Sequence, residues 1–195
     1  CDHYNRFEED FDIAQSLGHN AHRFSIEWAR IEPEEGRFDE KEIEHYRTVL
    51  RSLNKHGLEP FVNLWHFTLP LWFAERGGFE QENAPALFTR YCSYIIKELG
   101  DESRFWITIN EPLVWALGGY VRGKWPPFQM NPIKFLTVQS ALVRAHQSAY
   151  NAMKKIKPNI QIGVAKHNMY FSSDGKPWNN LAKKFVDWLW NRRFL

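Results

Sequence analysis

A carboxamide and a carboxylate stand side by side at Asn110-Glu111, after the run Phe105-Trp106-Ile107-Thr108-Ile109 and just before Pro112. The run shows no strict apolar/polar alternation, which predicts a short strand buried on both faces. Pro112 brings no N–H to a ladder and biases Glu111 toward an extended backbone, so the strand ends there. The carboxyl end of a buried parallel strand is where α/β folds keep their chemistry. An ordinary polar strand terminus has the same composition, and the other strand ends bear on the choice. Residues 21–28 contain Arg23 and Glu27, residues 58–65 lead into His66, and residues 160–166 lead into His167, Asn168 and Tyr170. Planar donors and acceptors beside aromatic faces suit a hydroxyl-rich ligand. His66 with Glu111 offers two metal-binding side chains, but nothing has the i, i+4 spacing of a helical zinc site, and no metal is expected. A Ser-His-Asp triad lacks the nucleophile elbow it would need.

The elements that position these groups alternate. Phe7, Phe11, Ala14 and Leu17 recur at helical spacing, with Gly18 as the stop. The strand at 21–28 follows, and Asp39 with Glu42 resembles a capping box opening a helix through Ile43, Tyr46, Leu50 and Leu53 to Gly57. The strand at 58–65 closes on His66-Phe67-Thr68-Leu69-Pro70. A looser loop holds Gly77-Gly78, and Pro85 suits the first turn of a helix ending at Gly100. After the third strand, a long loop is expected from Gly118-Gly119-Tyr120 to Trp125-Pro126-Pro127. Asn131-Pro132 opens a helix to about Ile156, the strand at 160–166 follows, and a last helix is expected over 180–193. One helix and four strand–helix units predict an α/β chain with a parallel sheet. A full barrel of eight units needs about 250 residues, so four units make a half-barrel. A four-stranded doubly wound sheet is the rival, yet no glycine-rich phosphate loop follows the first strand.

Composition narrows the partners. With 44% apolar and 25% charged residues among 195, the chain reads as one globular domain over residues 1–195. Nine Trp fit a bulky core or platforms for stacking sugar rings or bases. A net charge of +2 without a basic patch argues against nucleic acid. Cys1 and Cys92 form no disulfide framework and fit a reducing, cytoplasmic setting. No apolar run has the length of a membrane span, and no signal peptide is visible. Starting at Cys1 inside an acidic helical pattern and stopping after an aromatic helix, the chain is expected to be a piece of a longer polypeptide.

Five phrases carry a resemblance to glycoside hydrolase family 1, the β-glucosidase family of retaining (β/α)8 barrels. They are Cys1-Asp2-His3-Tyr4, Arg23-Phe24-Ser25-Ile26-Glu27-Trp28, Leu64-Trp65-His66-Phe67-Thr68-Leu69-Pro70, Gly77-Gly78-Phe79 and Trp106-Ile107-Thr108-Ile109-Asn110-Glu111-Pro112. Asn191-Arg192-Arg193-Phe194-Leu195 is similar to the segment before the family's sixth strand. The resemblance runs the length of the chain and implies barrel strands two to five. It implies Glu111 as general acid/base, protonating the departing glycosidic oxygen and then deprotonating water. It further implies that Asn110 holds the 2-hydroxyl, that His66 binds another hydroxyl of the same sugar, and that Arg23 keeps the nucleophile ionised. Asn168 and Tyr170 fall on the leaving-group side, and Trp125 either lines the entrance or packs. No cofactor is implied.

The departures from the family pattern are equally informative. Retention needs a second carboxylate about 5–5.5 Å from the first. The family's nucleophile phrase, Glu-Asn-Gly at strand seven, is missing; Glu82-Asn83 is followed by Ala84. The nucleophile is therefore expected outside this chain, the isolated chain inactive, and pairing with the missing barrel half or with a copy is expected. Phe67 and Thr68 replace the commoner Trp-Asp. A small-molecule β-glycoside or oligosaccharide is the expected partner of the full-length enzyme. Another barrel-clan glycosidase such as an endoglucanase, and a non-catalytic half-barrel that binds sugar or self-assembles, are the alternatives.

Overall fold

A computed structural model describes residues 2–192. Its elements are helix α1 (His3–Ser16), strand β1 (Ala21–Ser25), α2 (Trp28–Ile31), α3 (Glu40–Lys55), β2 (Glu59–Asn63), α4 (Leu71–Glu75), α5 (Ala84–Leu99), β3 (Phe105–Asn110), α6 (Pro112–Tyr120), α7 (Pro132–Ile156), β4 (Gln161–Ala165) and α8 (Pro177–Asp187), which runs on as a π-turn over Trp188–Arg192. The four strands form one parallel sheet in the order β1-β2-β3-β4. Helical crossovers are what parallel neighbours require.

Register decides which side chains meet. Arg23, Phe61, Phe105 and Gln161 lie in one row across the sheet, and Ser25, Asn63, Ile107 and Gly163 in the next. The residues between them, including Val62, Trp106 and Thr108, point to the opposite face, where they are fully buried beneath the helices. The core is on that side: Trp28, Trp65, Trp106, Phe88 and Tyr91 pack there, and Trp28 stacks on Tyr91 at 4.9 Å. Four of the nine Trp are thus core residues (Trp28, Trp65, Trp106 and Trp115). The other face is barer. Phe61 stacks on Phe105 at 4.5 Å, yet both stay half-buried, as does Ile107. Burial of β3 on both faces is accordingly only half realised, because helices cover one face.

Local signals account for most helix ends. Asp39 caps α3 by accepting the Lys41 and Glu42 N–H groups at 2.9 and 3.4 Å. The reciprocal half of the capping box is absent among the described residues, since Glu42 instead accepts the Tyr4 hydroxyl at 3.0 Å. Asn131 caps α7, with Pro132 at its first position. Three expectations are corrected. β1 and β2 stop short of residues 28 and 65: β1 ends at Ser25, before Glu27 caps α2, and β2 ends at Asn63. Gly118-Gly119-Tyr120 belongs to α6 rather than to a loop. The last helix begins at Pro177, and residue 193 lies outside the described residues, as do Cys1, Phe194 and Leu195.

Candidate active site

The carboxyl ends of β1, β2 and β3 bring Arg23, His66, Asn110 and Glu111 together. Arg23, on β1, reaches over β2, and its Nη2 donates to Asn110 Oδ1 at 2.5 Å. This charge-assisted bond orients the amide and leaves both Nδ2 hydrogens for a ligand. Glu27, four residues on from Arg23, is engaged elsewhere. Its Oε1 accepts the Ala29 N–H at 3.2 Å and its Oε2 the Thr68 hydroxyl at 2.7 Å.

His66 is oriented by neighbours. Asn63 Nδ2 donates to Ser25 Oγ at 3.0 Å and to Trp65 O at 3.1 Å, and Ser25 Oγ lies 3.2 Å from His66 Nδ1. With Nδ1 taken up, Nε2 is the atom left to meet a ligand. Partial desolvation and the Arg23 guanidinium hold the imidazole below its ordinary value, while the Glu111 carboxylate pulls the other way. The ring is therefore neutral at pH 7, and Arg23 and Glu111 both lie within electrostatic reach of it.

Glu111 departs from its expected backbone. It sits in the left-handed region at φ 42, ψ 59, not extended. Such a conformation costs roughly 1–3 kcal/mol for a non-glycine residue and persists only where its surroundings fix it. They do: the Glu111 N–H donates to Ala165 O at 2.8 Å, and its carbonyl accepts the Trp115 N–H at 3.1 Å. Tertiary and helical bonds at both ends override the preference imposed by Pro112. Phe67, next to His66, is also left-handed, at φ 76. Two strained residues at adjacent strand ends mark the place where backbone economy has yielded to side-chain placement.

Asn168 and Tyr170 are not part of this cluster. Both are exposed in the stretch after β4, Tyr170 at 89%. Tyr170 carries Lys183 Nζ over its ring at 5.5 Å, and among the described residues no hydrogen bond ties either residue to His66, Asn110 or Glu111. That stretch is held by Asn191, which accepts the Met169 N–H at 3.1 Å and donates to Met169 O at 2.7 Å. Ser25 and Asn63 escaped the sequence reading. Only the register that pairs them showed their support of His66. No group of three or more His, Cys, Asp or Glu among the described residues is placed to hold a metal.

The sequence profile of Glycosyl hydrolase family 1 matches residues 1–189, and the chain belongs to that family. It is 35% identical to beta-glucosidase A of Thermotoga maritima over 172 residues, 88% of this chain and 39% of that protein. It is 39% identical to beta-glucosidase 11 of Arabidopsis thaliana over 134 residues, 68% of this chain and 26% of the relative. Among solved structures, a beta-glycosidase from Pyrococcus horikoshii superposes with a TM-score of 0.92 at 34% identity, over all of this chain and 45% of its own. A beta-glucosidase of Thermotoga maritima in complex with deoxynojirimycin superposes with a TM-score of 0.90 at 33% identity, over 95% of this chain and 42% of its own. The chain thus spans about two fifths of the Thermotoga relative's length, and its four parallel strands are part of a (β/α)8 barrel.

Proposed function

We propose that the protein carrying this chain hydrolyses β-glycosidic bonds with retention of configuration, and that Glu111 is its general acid/base. The observation that carries the reading is the Arg23–Asn110 bond beside a Glu111 whose backbone is fixed at both ends. In this reading Asn110 Nδ2 donates to the sugar 2-hydroxyl and neutral His66 binds a second hydroxyl. Glu111 protonates the leaving oxygen and later deprotonates the attacking water. The nucleophilic carboxylate comes from outside these 195 residues. Glu27 does not replace it, because both its oxygens are occupied by Ala29 and Thr68. Family membership and relatives named beta-glucosidases support a β-glucoside or related sugar as substrate. The exposed Asn168 and Tyr170 belong, in this reading, to the leaving-group side, where residues from the rest of the barrel meet them. No metal or cofactor takes part.

Cys92, buried and unpaired, favours a reducing compartment. Among the described residues, no helix is long and apolar enough to cross a membrane. The test is Glu111→Gln in the protein that carries the chain. Turnover of cellobiose should be lost, and azide should partly restore turnover of a substrate with a good leaving group, since only proton transfer and water activation are removed. Wild-type kcat on cellobiose in Glu111→Gln would dispose of the assignment.

A further inference from the structure

The main chain doubles back immediately after His66. The Thr68 N–H donates to His66 O at 3.0 Å and closes a three-residue turn around Phe67, whose φ is 76. The form of this turn with a positive central φ is rare and strained, and phenylalanine lacks the freedom that glycine would bring. Such a turn persists only where its surroundings impose it. Thr68 is held at each of its polar groups. Besides the N–H, its carbonyl accepts Nε1 of the buried Trp65 at 2.8 Å, and its hydroxyl donates to Glu27 Oε2 at 2.7 Å. The first two bonds join residues of one short stretch. The third ties the turn to the segment after β1.

Glu27 is itself fixed in place. Its N–H donates to the Tyr46 hydroxyl of α3 at 3.0 Å, and its Oε1 accepts the Ala29 N–H of α2 at 3.2 Å. Oε2 therefore meets Thr68 from a braced side chain, and a carboxylate makes a stronger bond to a hydroxyl than a neutral acceptor does. The turn in its present form sets two rings at the site. Phe67 stands edge-on to His66 at 5.0 Å and lies 5.4 Å from Trp125. Trp125 is a fixed neighbour: a Cβ on Gly118 would fall 2.3 Å from its ring, so that ring is seated directly on the α6 backbone. Gly118 O accepts the Lys124 N–H at 2.9 Å and Gly119 O the Gln129 N–H at 2.8 Å, which clamps the Trp125-Pro126-Pro127 turn onto α6 at the rim of the site. Ser25 meets the His66 ring at Nδ1, and the turn at Phe67 fixes the main chain that carries that ring.

We propose that Glu27 is a positioning residue of this site: through Thr68 it holds the strained turn at Phe67 in the form that aims His66 at the sugar. The assignment rests on the glycosidase reading above and adds a residue that acts through His66 rather than on the substrate. The test is kcat/KM for nitrophenyl β-glucoside on the protein that carries this chain, with His66 present and in a His66→Ala background. Thr68→Val removes the hydroxyl at nearly constant shape from an exposed residue and leaves the core intact. It should cost about fivefold or more with His66 present. Once His66 is replaced by alanine the turn has no imidazole to aim, and the same change should cost under about twofold. Glu27→Ala should show the same dependence on His66. Thr68→Ser, which restores the hydroxyl, should bring the loss back under about twofold. A bond that merely supports the fold would cost the same in both backgrounds. Equal losses in the two backgrounds, or no loss from Thr68→Val in either, overturn the positioning role and leave the glycosidase reading standing. Absence of turnover in the unsubstituted protein overturns the glycosidase reading itself, and the role of Glu27 with it.

Discussion

Arg23 and Asn110 are 87 residues apart and joined by one bond of 2.5 Å, and a double-mutant cycle weighs it. A hydrogen bond with a charged partner contributes roughly 1.5–3 kcal/mol. The guanidinium is exposed to solvent, which places the coupling at the low end, about 1.5 kcal/mol. The two single substitutions should differ. Asn110→Ala leaves an exposed guanidinium that water solvates freely. Arg23→Met leaves the oxygen of an Asn110 that is 3% exposed without its partner, which adds a desolvation penalty of roughly 1 kcal/mol or more. Arg23→Met should therefore be the costlier change, at about 2–3 kcal/mol. For a urea slope near 2 kcal/mol/M, that moves the midpoint by about 1 M. Urea unfolding of the four proteins of the cycle, followed by Trp fluorescence, gives the coupling directly. A coupling below about 0.5 kcal/mol would mean that water serves Arg23 as well as Asn110 does, and the orienting role assigned to Arg23 would fall.

Other expectations follow from the same structure. His66→Ala in the protein that carries the chain should cost at least about tenfold in kcat/KM on glucosides, with melting temperature nearly unchanged because the ring is exposed; a large drop in melting temperature with intact kinetics would make His66 a structural residue. The isolated 195-residue chain should pair with the remaining barrel or with a copy of itself, or be loosely packed, and should lack glycosidase activity; a rigid, active monomer by light scattering and glucosidase assay would contradict this. Burial holds His22, His45 and His146 below the ordinary imidazole value. Just below about pH 6.5 the unfolded chain then binds more protons than the folded one, so stability falls as pH drops through that range. His56, raised chiefly by its hydrogen bond to the Ser52 backbone, contributes the opposite trend just above it. Calorimetry should find a lower melting temperature at pH 5 than at pH 6.5, and a rise on acidification would count against the burial argument.

The strand–helix alternation was legible because each strand is bounded by glycine, proline or a cap, and each long helix repeats its apolar residues at helical spacing. α2 and α4 were not legible: four or five residues complete little more than one turn and carry no period. α6 was missed because Gly118-Gly119 is a breaker by propensity, and only the seating of Trp125 against α6 gives glycine a reason to stand inside a helix. His66, Asn110 and Glu111 were each found at a strand end, and Arg23 within a strand. The bond that links Arg23 to Asn110, and the left-handed turn at Glu111, depend on partners far along the chain that no local pattern encodes. Asn168 and Tyr170 follow the strand-end rule as well, yet stand outside the cluster because β4 leads into a long exposed stretch.

The contact between Gly118 and Trp125 has a consequence for how this surface varies. A ring at position 125 in this pose and any side chain at position 118 exclude each other, since even a methyl group would overlap the indole by more than an ångström. The two positions therefore behave as a single locus. Each side chain gained on α6 must be matched by a smaller or displaced residue on the turn, and shape at this rim changes in paired steps.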